Sequence, residues 1–380
     1  MQWQQFVSPA TQVYELPAPL VLESGEVLVG ACVAYRTWGR LNADRDNAVL
    51  VCHALTGWAD ADLWWEPLLG PGRALDPDRD FIICSNILGS CYGTTGPTST
   101  DPATGTPYGP NFPAISVRDM VQLQAILLDA LGVATLALVI GGSLGGMQVL
   151  EWALTYPDRV RAIAPMASSG RHSAWCIGLG EAQRQAIYAD PNWCEGYYQH
   201  DQPPARGLAV ARMMAMSTYR SWTSFETRFG RQVQPEGDHD LDDATVDANF
   251  AIVNYLRHHG QKLVERFDAN TYVTLTQAMD RHDVGRGRSG GYTGALRSIQ
   301  QPALVVAIDS DILYPPDEQQ EIAALMPHAR LEWLSSSHGH DAFLINTKTL
   351  NRLVLEFRDR LGHGVVHKLL TSDSHGLLAE

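Results

Sequence analysis

Gly141-Gly142-Ser143-Leu144-Gly145 sets one hydroxyl between glycines, after the apolar run LALVI and before the helix-like MQVLEWALTYP. The pattern is G-x-S-x-G, and a strand before it and a helix after it are the context in which it holds a nucleophilic serine on a sharp turn. Glycines are required there because flanking side chains would collide with the adjoining strand and helix. The helix behind the turn contributes a backbone N–H and a favourable dipole. Two other uses of the segment compete. A serine can simply cap the helix, and glycines can cradle a dinucleotide. The second use needs G-x-G-x-x-G and an acidic residue ~20 positions on, a spacing that glycines 141, 142, 145 and 146 do not match.

A serine hydroxyl is a weak nucleophile and needs a base, which in turn needs a carboxylate to orient it. On a strand-turn-helix scaffold these partners follow the serine in the order Asp, then His. Asp309 and Asp311 lie just past the run PALVVAI, and His338 and His340 just past ARLEW. Both pairs therefore fall at the carboxyl ends of strands, where open α/β sheets bind ligands. Asp311 is the nearer to the apolar Ile312-Leu313-Tyr314, and His340 abuts Asp341 and Ala-Phe-Leu-Ile, but the residues alone leave both choices open. A metal at 338–341 would need a further, distant ligand, and none is expected. The oxyanion requires two N–H donors. Leu144 follows the nucleophile, and Leu55 in the loop His53-Ala54-Leu55-Thr56-Gly57 is placed to be the second.

The elements that must position these groups are legible from periodicity. Asn47–Leu55 and Phe81–Leu88 are short apolar runs suited to strands buried on both faces of a parallel sheet. Ser116–Leu131 opens with a capping serine, carries helical spacing and stops at Gly132. Val21–Gly39 alternates around a central turn as one hairpin. From His172 to Gly291 the strand-helix rhythm gives way to helices broken by polar loops and ends in the Gly- and Arg-rich RHDVGRGRSGG. The rhythm then resumes, with Leu350–Leu361 as the closing helix. The expected architecture is α/β, a mostly parallel sheet flanked by helices with an inserted helical lid. The core comprises 1–171 and 292–362, the lid 172–291, and a loosely held tail 363–380.

Composition narrows the class. The 380 residues are 45% hydrophobic and 18% charged, enough material for a large core. A formal charge of −14 argues against nucleic-acid or anionic-membrane partners. Nearly all cations are arginine, the lysines being Lys262, Lys348 and Lys368. Six dispersed cysteines without a CxxC pair indicate neither a disulfide framework nor structural zinc. The N-terminus lacks a signal-peptide pattern, and no apolar run approaches the ~20 residues of a membrane helix. The cytoplasm is the expected compartment.

With these residues assembled, the chain resembles the homoserine O-acetyltransferase family of α/β-hydrolase-fold enzymes over roughly residues 10 to 360. The resemblance rests on HALTG (53–57), the Gly/Thr/Pro-rich stretch 70–109, GGSLGGMQVLEWA (141–153), YPDRVR (156–161), GLAVARMMAMSTYR (207–220) and GHDAFL (339–344). It implies Ser143 as nucleophile, Asp311 as acid and His340 as base. It also implies that Arg212 from the lid and Asp341 bind the amino-acid substrate, the guanidinium taking a carboxylate and the carboxylate an ammonium. Two departures stand out. Leu144 replaces the Met of many acetyl-transferring members and is common in relatives that transfer succinyl. The loop after HALTG reads WADADLWWEP, without the more usual histidine and Gly-Trp-Trp. HALTG and LEWA favour acetyl.

The implied reaction is a ping-pong transfer from acetyl-CoA to the hydroxyl of L-homoserine in methionine biosynthesis, with no permanently bound cofactor. A succinyl transfer to homoserine or serine is the nearest alternative. A plain esterase or thioesterase, and a noncatalytic scaffold, lie further off. The lid residues Met213, Met214, Met216, Phe250 and Tyr255 suit either packing within the lid or a homodimer interface.

Overall fold

The computed structural model describes residues 7–233 and 250–372. Its strands are β1 (Gln12–Glu15), β2 (Leu20–Val21), β3 (Val27–Leu28), β4 (Cys32–Trp38), β5 (Ala48–Cys52), β6 (Phe81–Ser85), β7 (Leu136–Gly142), β8 (Ile163–Met166), β9 (Ala303–Ile308) and β10 (Ala329–Leu334). The core helices α1 (Ala61–Trp64), α2 (Val117–Ala130) and α3 (Leu144–Thr155) precede the lid. The described residues of the stretch expected to be a lid carry α4 (Ala174–Tyr188), α5 (Ala205–Tyr219), α6 (Trp222–Arg228), α7 (Ala251–Arg266) and α8 (Ala269–Asp280). The chain then returns through α9 (Gly291–Ser298), α10 (Pro316–Leu325), α11 (Ala342–Ile345) and α12 (Thr347–Ser372).

Eight strands form one sheet in the order β1-β4-β6-β5-β7-β8-β9-β10, antiparallel at β1/β4 and β4/β6 and parallel from β6 onward. Strand order reverses at β5, whose neighbours β6 and β7 lie on opposite sides. A crevice opens at the carboxyl ends of strands at such a reversal. All of β5 is buried, and its side chains divide by the period of two. Val49 and Val51 join the core on one face of the sheet, Ala48, Leu50 and Cys52 the core on the other. On α2, Ser116 Oγ accepts from the Asp119 N–H while the Asp119 carboxylate accepts from the Ser116 N–H, the reciprocal cap its sequence indicates.

Two expectations are corrected. Val21–Gly39 is not one hairpin: β2 and β3 form a small two-stranded unit, Gly30 turns at φ 65°, and β4 joins the main sheet between β1 and β6. Helix α8, within the stretch expected to be helical, carries a run of β-branched and aromatic residues. It forms because Asp268 caps it, accepting from the Thr271 N–H at 2.8 Å, and because packing outweighs propensity. The closing helix begins at Thr347 and continues to Ser372 rather than ending at Leu361. Residues 373–380 of the expected tail lie outside the described residues. Among the described residues no helix is long and apolar enough to cross a membrane.

The Gly- and Arg-rich segment fastens the end of the lid to the core. Arg288 reaches the buried Glu151 of α3 at 2.6 Å, and Arg118 of α2 reaches the same carboxylate at 3.3 Å. Arg286 and Arg118 share Glu23 at 2.8 and 2.9 Å. Removing the central carboxylate leaves Arg288 without a counter-charge and Arg118 with Glu23 alone, a costly way to break such a cluster. Glu151→Ala should therefore lower unfolding free energy by about 2–3 kcal/mol, read as a lower denaturant midpoint. A change below ~0.5 kcal/mol would mean that the cluster is only a solvated surface feature.

Candidate active site

Ser143 stands at the end of β7 with φ 59° and ψ −126°, a conformation that costs a non-glycine residue about 1–3 kcal/mol. Its surroundings enforce the angle. The Ser143 N–H donates to Met166 O at 3.0 Å, and Ser168 Oγ donates to Ser143 O at 2.7 Å. A Cβ on Gly145 would lie 2.1 Å from Cys52 O, and one on Gly142 would lie 2.6 Å from the Phe343 ring. The turn is thus wedged between the end of β5 and α11. Ser143 is not a helix cap in the ordinary sense, since its side chain makes no capping hydrogen bond. It is 6% exposed at the foot of the crevice.

The two pairs left open by spacing separate by their partners. His340 Nδ1 lies 2.7 Å from Asp311 Oδ2, both groups buried, and Asp311 Oδ1 accepts from the N–H groups of Leu313 and Tyr314 at 2.9 and 3.0 Å. Asp309 instead accepts from Ser335 Oγ at 2.6 Å and the Ser336 N–H at 3.0 Å. It therefore joins the loop after β9 to the loop after β10. His338 is half-buried, and its Nδ1 has no hydrogen-bond partner. With Asp311 accepting from Nδ1–H, the His340 Nε2 is left to take a proton.

Rings of Tyr219, Tyr314 and Phe343 surround the imidazole at centroid distances of 5.8, 5.3 and 5.6 Å. Burial alone would pull the His340 pKa down. The charge and hydrogen bond of Asp311, joined by the charge of Asp341, outweigh it and leave the pKa above the ordinary histidine value. For Asp341 burial dominates and raises the carboxyl pKa, although Arg220, His340 and Arg212 oppose it.

Leu55 and Leu144 are both buried beside the serine turn. The Leu55 loop is fixed by its neighbours. Ala54 O accepts from His53 Nδ1–H and from the Gly57 N–H, both at 2.8 Å, while the Ile87 N–H donates to His53 Nε2 at 3.3 Å. A peptide's C=O and N–H point in opposite directions, so clamping Ala54 O also orients the Leu55 N–H. Burial lowers the pKa of His53 to about 4, so its ring stays neutral with one donor and one acceptor. Gly57 is required because a Cβ there would meet the His53 Cβ at 2.9 Å.

Arg212 lines a cavity of about 150 Å³ together with Gly142, Ala54, Thr56 and Arg266. Its guanidinium lies 5.2 Å from the Tyr219 ring. Asp341 pairs not with Arg212 but with Arg220, at 3.3 Å. Arg220 and Arg266 escaped the sequence reading. Arg266 donates to Thr56 O at 2.8 Å and Tyr92 Oη at 2.6 Å and covers Trp58. No local pattern distinguishes either arginine from a solvated lid residue. Of the lid residues considered for a dimer, Met216 is buried, while Met213, Met214, Phe250 and Tyr255 are half-buried. Among the described residues no group of three or more His, Cys, Asp and Glu is placed to hold a metal.

A serine at a strained elbow, with a buried Asp-His pair at the next strand ends, defines a class. The description of the alpha/beta hydrolase fold matches residues 47–347, and the chain belongs to that family. Within it, the chain is 68% identical over 361 residues to a homoserine O-acetyltransferase of Trichormus variabilis, covering 95% of this chain and 97% of that one. Among solved structures, a homoserine O-acetyltransferase from Bacillus anthracis aligns with TM-score 0.83 at 25% identity, over 92% of this chain and 97% of that one. Esterase E22 aligns with TM-score 0.82 at 28% identity, over 92% and 99%. The chain is a member of the homoserine O-acetyltransferase family, an acyltransferase branch of the α/β hydrolases.

The raised pKa of His340 has a signed consequence. As the expected base, the imidazole must be neutral to accept a proton, so activity is expected to fall as pH drops through its pKa. The acid limb of p-nitrophenyl acetate hydrolysis should therefore lie above the ordinary histidine pKa of about 6.5. Asp341→Asn removes one of the charges holding it up and should shift the limb downward. An unmoved limb in that variant would show that Asp341 does not act on the base.

Proposed function

We propose that the enzyme transfers an acetyl group from acetyl-CoA to the side-chain hydroxyl of L-homoserine by a ping-pong route, supplying O-acetyl-L-homoserine for methionine biosynthesis. His340 accepts the Ser143 proton as Oγ attacks the thioester carbon. The oxyanion rests on the N–H groups of Leu55 and Leu144. The C–S bond then breaks, and the thiol leaves with the proton held by His340. Homoserine enters, His340 takes its hydroxyl proton, and its oxygen attacks the acetyl-serine. When the bond to Oγ breaks, the proton returns to Ser143. Asp311 holds the imidazole tautomer and stabilises the imidazolium.

The observation that carries this reading is the charge arrangement around the serine. Arg212 borders the cavity at Gly142, and Asp341 directly follows the base. A cation and an anion near enough to act on one another, the anion acting also on the imidazole, match the carboxylate and ammonium of a free amino acid, whereas water or a neutral ester needs neither. The lid roof and the three rings over His340 support protection of the acyl-enzyme from hydrolysis. A homodimer through the lid helices belongs to this reading, with Trp222 and Val210 exposed on α6 and α5. Sedimentation equilibrium showing a monomer at micromolar concentration would remove that assignment.

The deciding assay is thiol release from acetyl-CoA with and without homoserine, beside succinyl-CoA. Fast release only with acetyl-CoA plus homoserine is expected. Preference for succinyl-CoA would reassign the donor, and release independent of homoserine would make the enzyme a hydrolase. Ser143→Ala should lose about 10⁶-fold in turnover, as comparable nucleophiles do. Arg212→Met should raise the KM for homoserine about 10- to 100-fold, the value of a charge-assisted hydrogen bond. It should leave Ser143 acylation by p-nitrophenyl acetate unchanged, and an unaltered KM would take Arg212 out of the substrate site.

A further inference from the structure

Behind the serine turn lies a run of buried polar side chains that the reaction does not touch. Trp152 Nε1 donates to Gln124 Oε1 at 2.7 Å, and Gln124 Nε2 donates to Gln148 Oε1 at 2.9 Å. Gln148 Nε2 then donates to Leu144 O at 3.2 Å and to His53 O at 3.4 Å. All three side chains are at most 1% exposed. Three adjacent polar groups in a core would cost several kcal/mol if unpaired, and aliphatic residues would fill the space.

The direction of the chain is fixed at its far end. An indole N–H can only donate, so it turns the Gln124 oxygen toward Trp152 and the Gln124 amino group toward Gln148. That in turn leaves Gln148 its amino group for the two carbonyls. The carbonyls are not equivalent parts of one element. Leu144 O belongs to the first turn of α3, and His53 O to the loop after β5. These segments carry the Leu144 and Leu55 N–H groups. One amide thus ties together the two halves of the oxyanion hole. Among the described residues the halves otherwise meet through close packing, as where Gly145 admits Cys52 O and His53 O.

We propose that Trp152, Gln124 and Gln148 form a positioning relay that sets the separation of the two oxyanion N–H donors, with Gln148 as its terminal clamp. The proposal rests on the assignment of Leu55 and Leu144 as those donors. It does not depend on which acyl acceptor the enzyme uses. A donor displaced by a fraction of an ångström loses most in the transition state, where charge develops on the oxygen, and little in ground-state binding.

The test uses the full-length enzyme and p-nitrophenyl acetate, which acylates Ser143 without homoserine, beside the corresponding thiono ester, whose sulfur such a hole stabilises poorly. Gln148→Met should lower kcat about 10- to 100-fold, below the ~10²–10³ for deleting a donor outright. Its KM should stay within about twofold, and its preference for the oxygen ester should shrink. Gln124→Met should do the same to a smaller degree and Trp152→Phe least, an order set by distance from the hole. Thermal midpoints recorded alongside separate this from packing. Lower midpoints with kcat and ester preference unchanged would overturn the relay. If Gln148→Met does not fold, the two more distant variants carry the same test. A wild-type enzyme that does not discriminate between the esters would instead overturn the oxyanion assignment itself.

Discussion

The carbonyl oxygen of Cys52 lies where Cβ atoms of Gly141 and Gly145 would stand, 2.5 and 2.1 Å from them. That approach brings the last residue of β5 against the first turn of α3, and most of the site depends on it. It requires glycine on both sides of Ser143 and holds the serine at its costly positive φ. It also brings the loop after β5 alongside the turn, with His53 O as well as Cys52 O against Gly145. The parallel strands supply the rigidity. β5 is buried over its full length between β6 and β7, and its end has little freedom to yield.

Electrostatics divides the site between a fixed and an exchangeable part. His340, Asp311 and His53 are buried, and each hydrogen-bonding direction is set by a neighbour. Asp341 is different. Burial disfavours its charge, and Arg220 faces it across 3.3 Å without the geometry of a hydrogen bond. A carboxylate held this loosely in a half-buried place is suited to trading one cation for another. Arginine, always charged, is the side chain that can sit opposite it without neutralising itself.

The sequence disclosed those features that follow from local stereochemistry. The serine turn is legible because glycine spacing reports steric exclusion within five residues. The order Ser, Asp, His is legible because strands announce their ends. The choice of Asp311 over Asp309 was not, since the two differ only in partners from other loops, Ser335 and Ser336 for one and His340 for the other. The resemblance to a family supplied that choice, and in the structure it is Asp311 that lies beside His340. Arg220 and Arg266 reach the site from lid helices across large sequence separations, and neither leaves a periodic trace. The hairpin expected over 21–39 failed because the nearly continuous apolar run Val27–Ala34 does not mark Gly30, where the backbone turns and β4 leaves for the larger sheet. Helix α8 falls in the stretch read as helices but was not singled out, because its β-branched and aromatic residues have low helix propensity and its cap and packing supply the rest.

The junction between α5 and α6 is pressed onto the loop that carries His340. Ser221 Oγ donates to Ser337 O, and Gly339 has no room for a side chain because the backbone of Arg220 and Ser221 fills it. The lid is consequently not an independent cassette that evolution or an engineer can exchange at its two connections to the core. A transplanted lid would bring a new 219–221 corner to an old 337–341 loop, and the imidazole would inherit the mismatch. Changes of acceptor within this fold should therefore travel as paired segments, the helix corner together with the loop beneath it, in natural divergence and in chimera design alike.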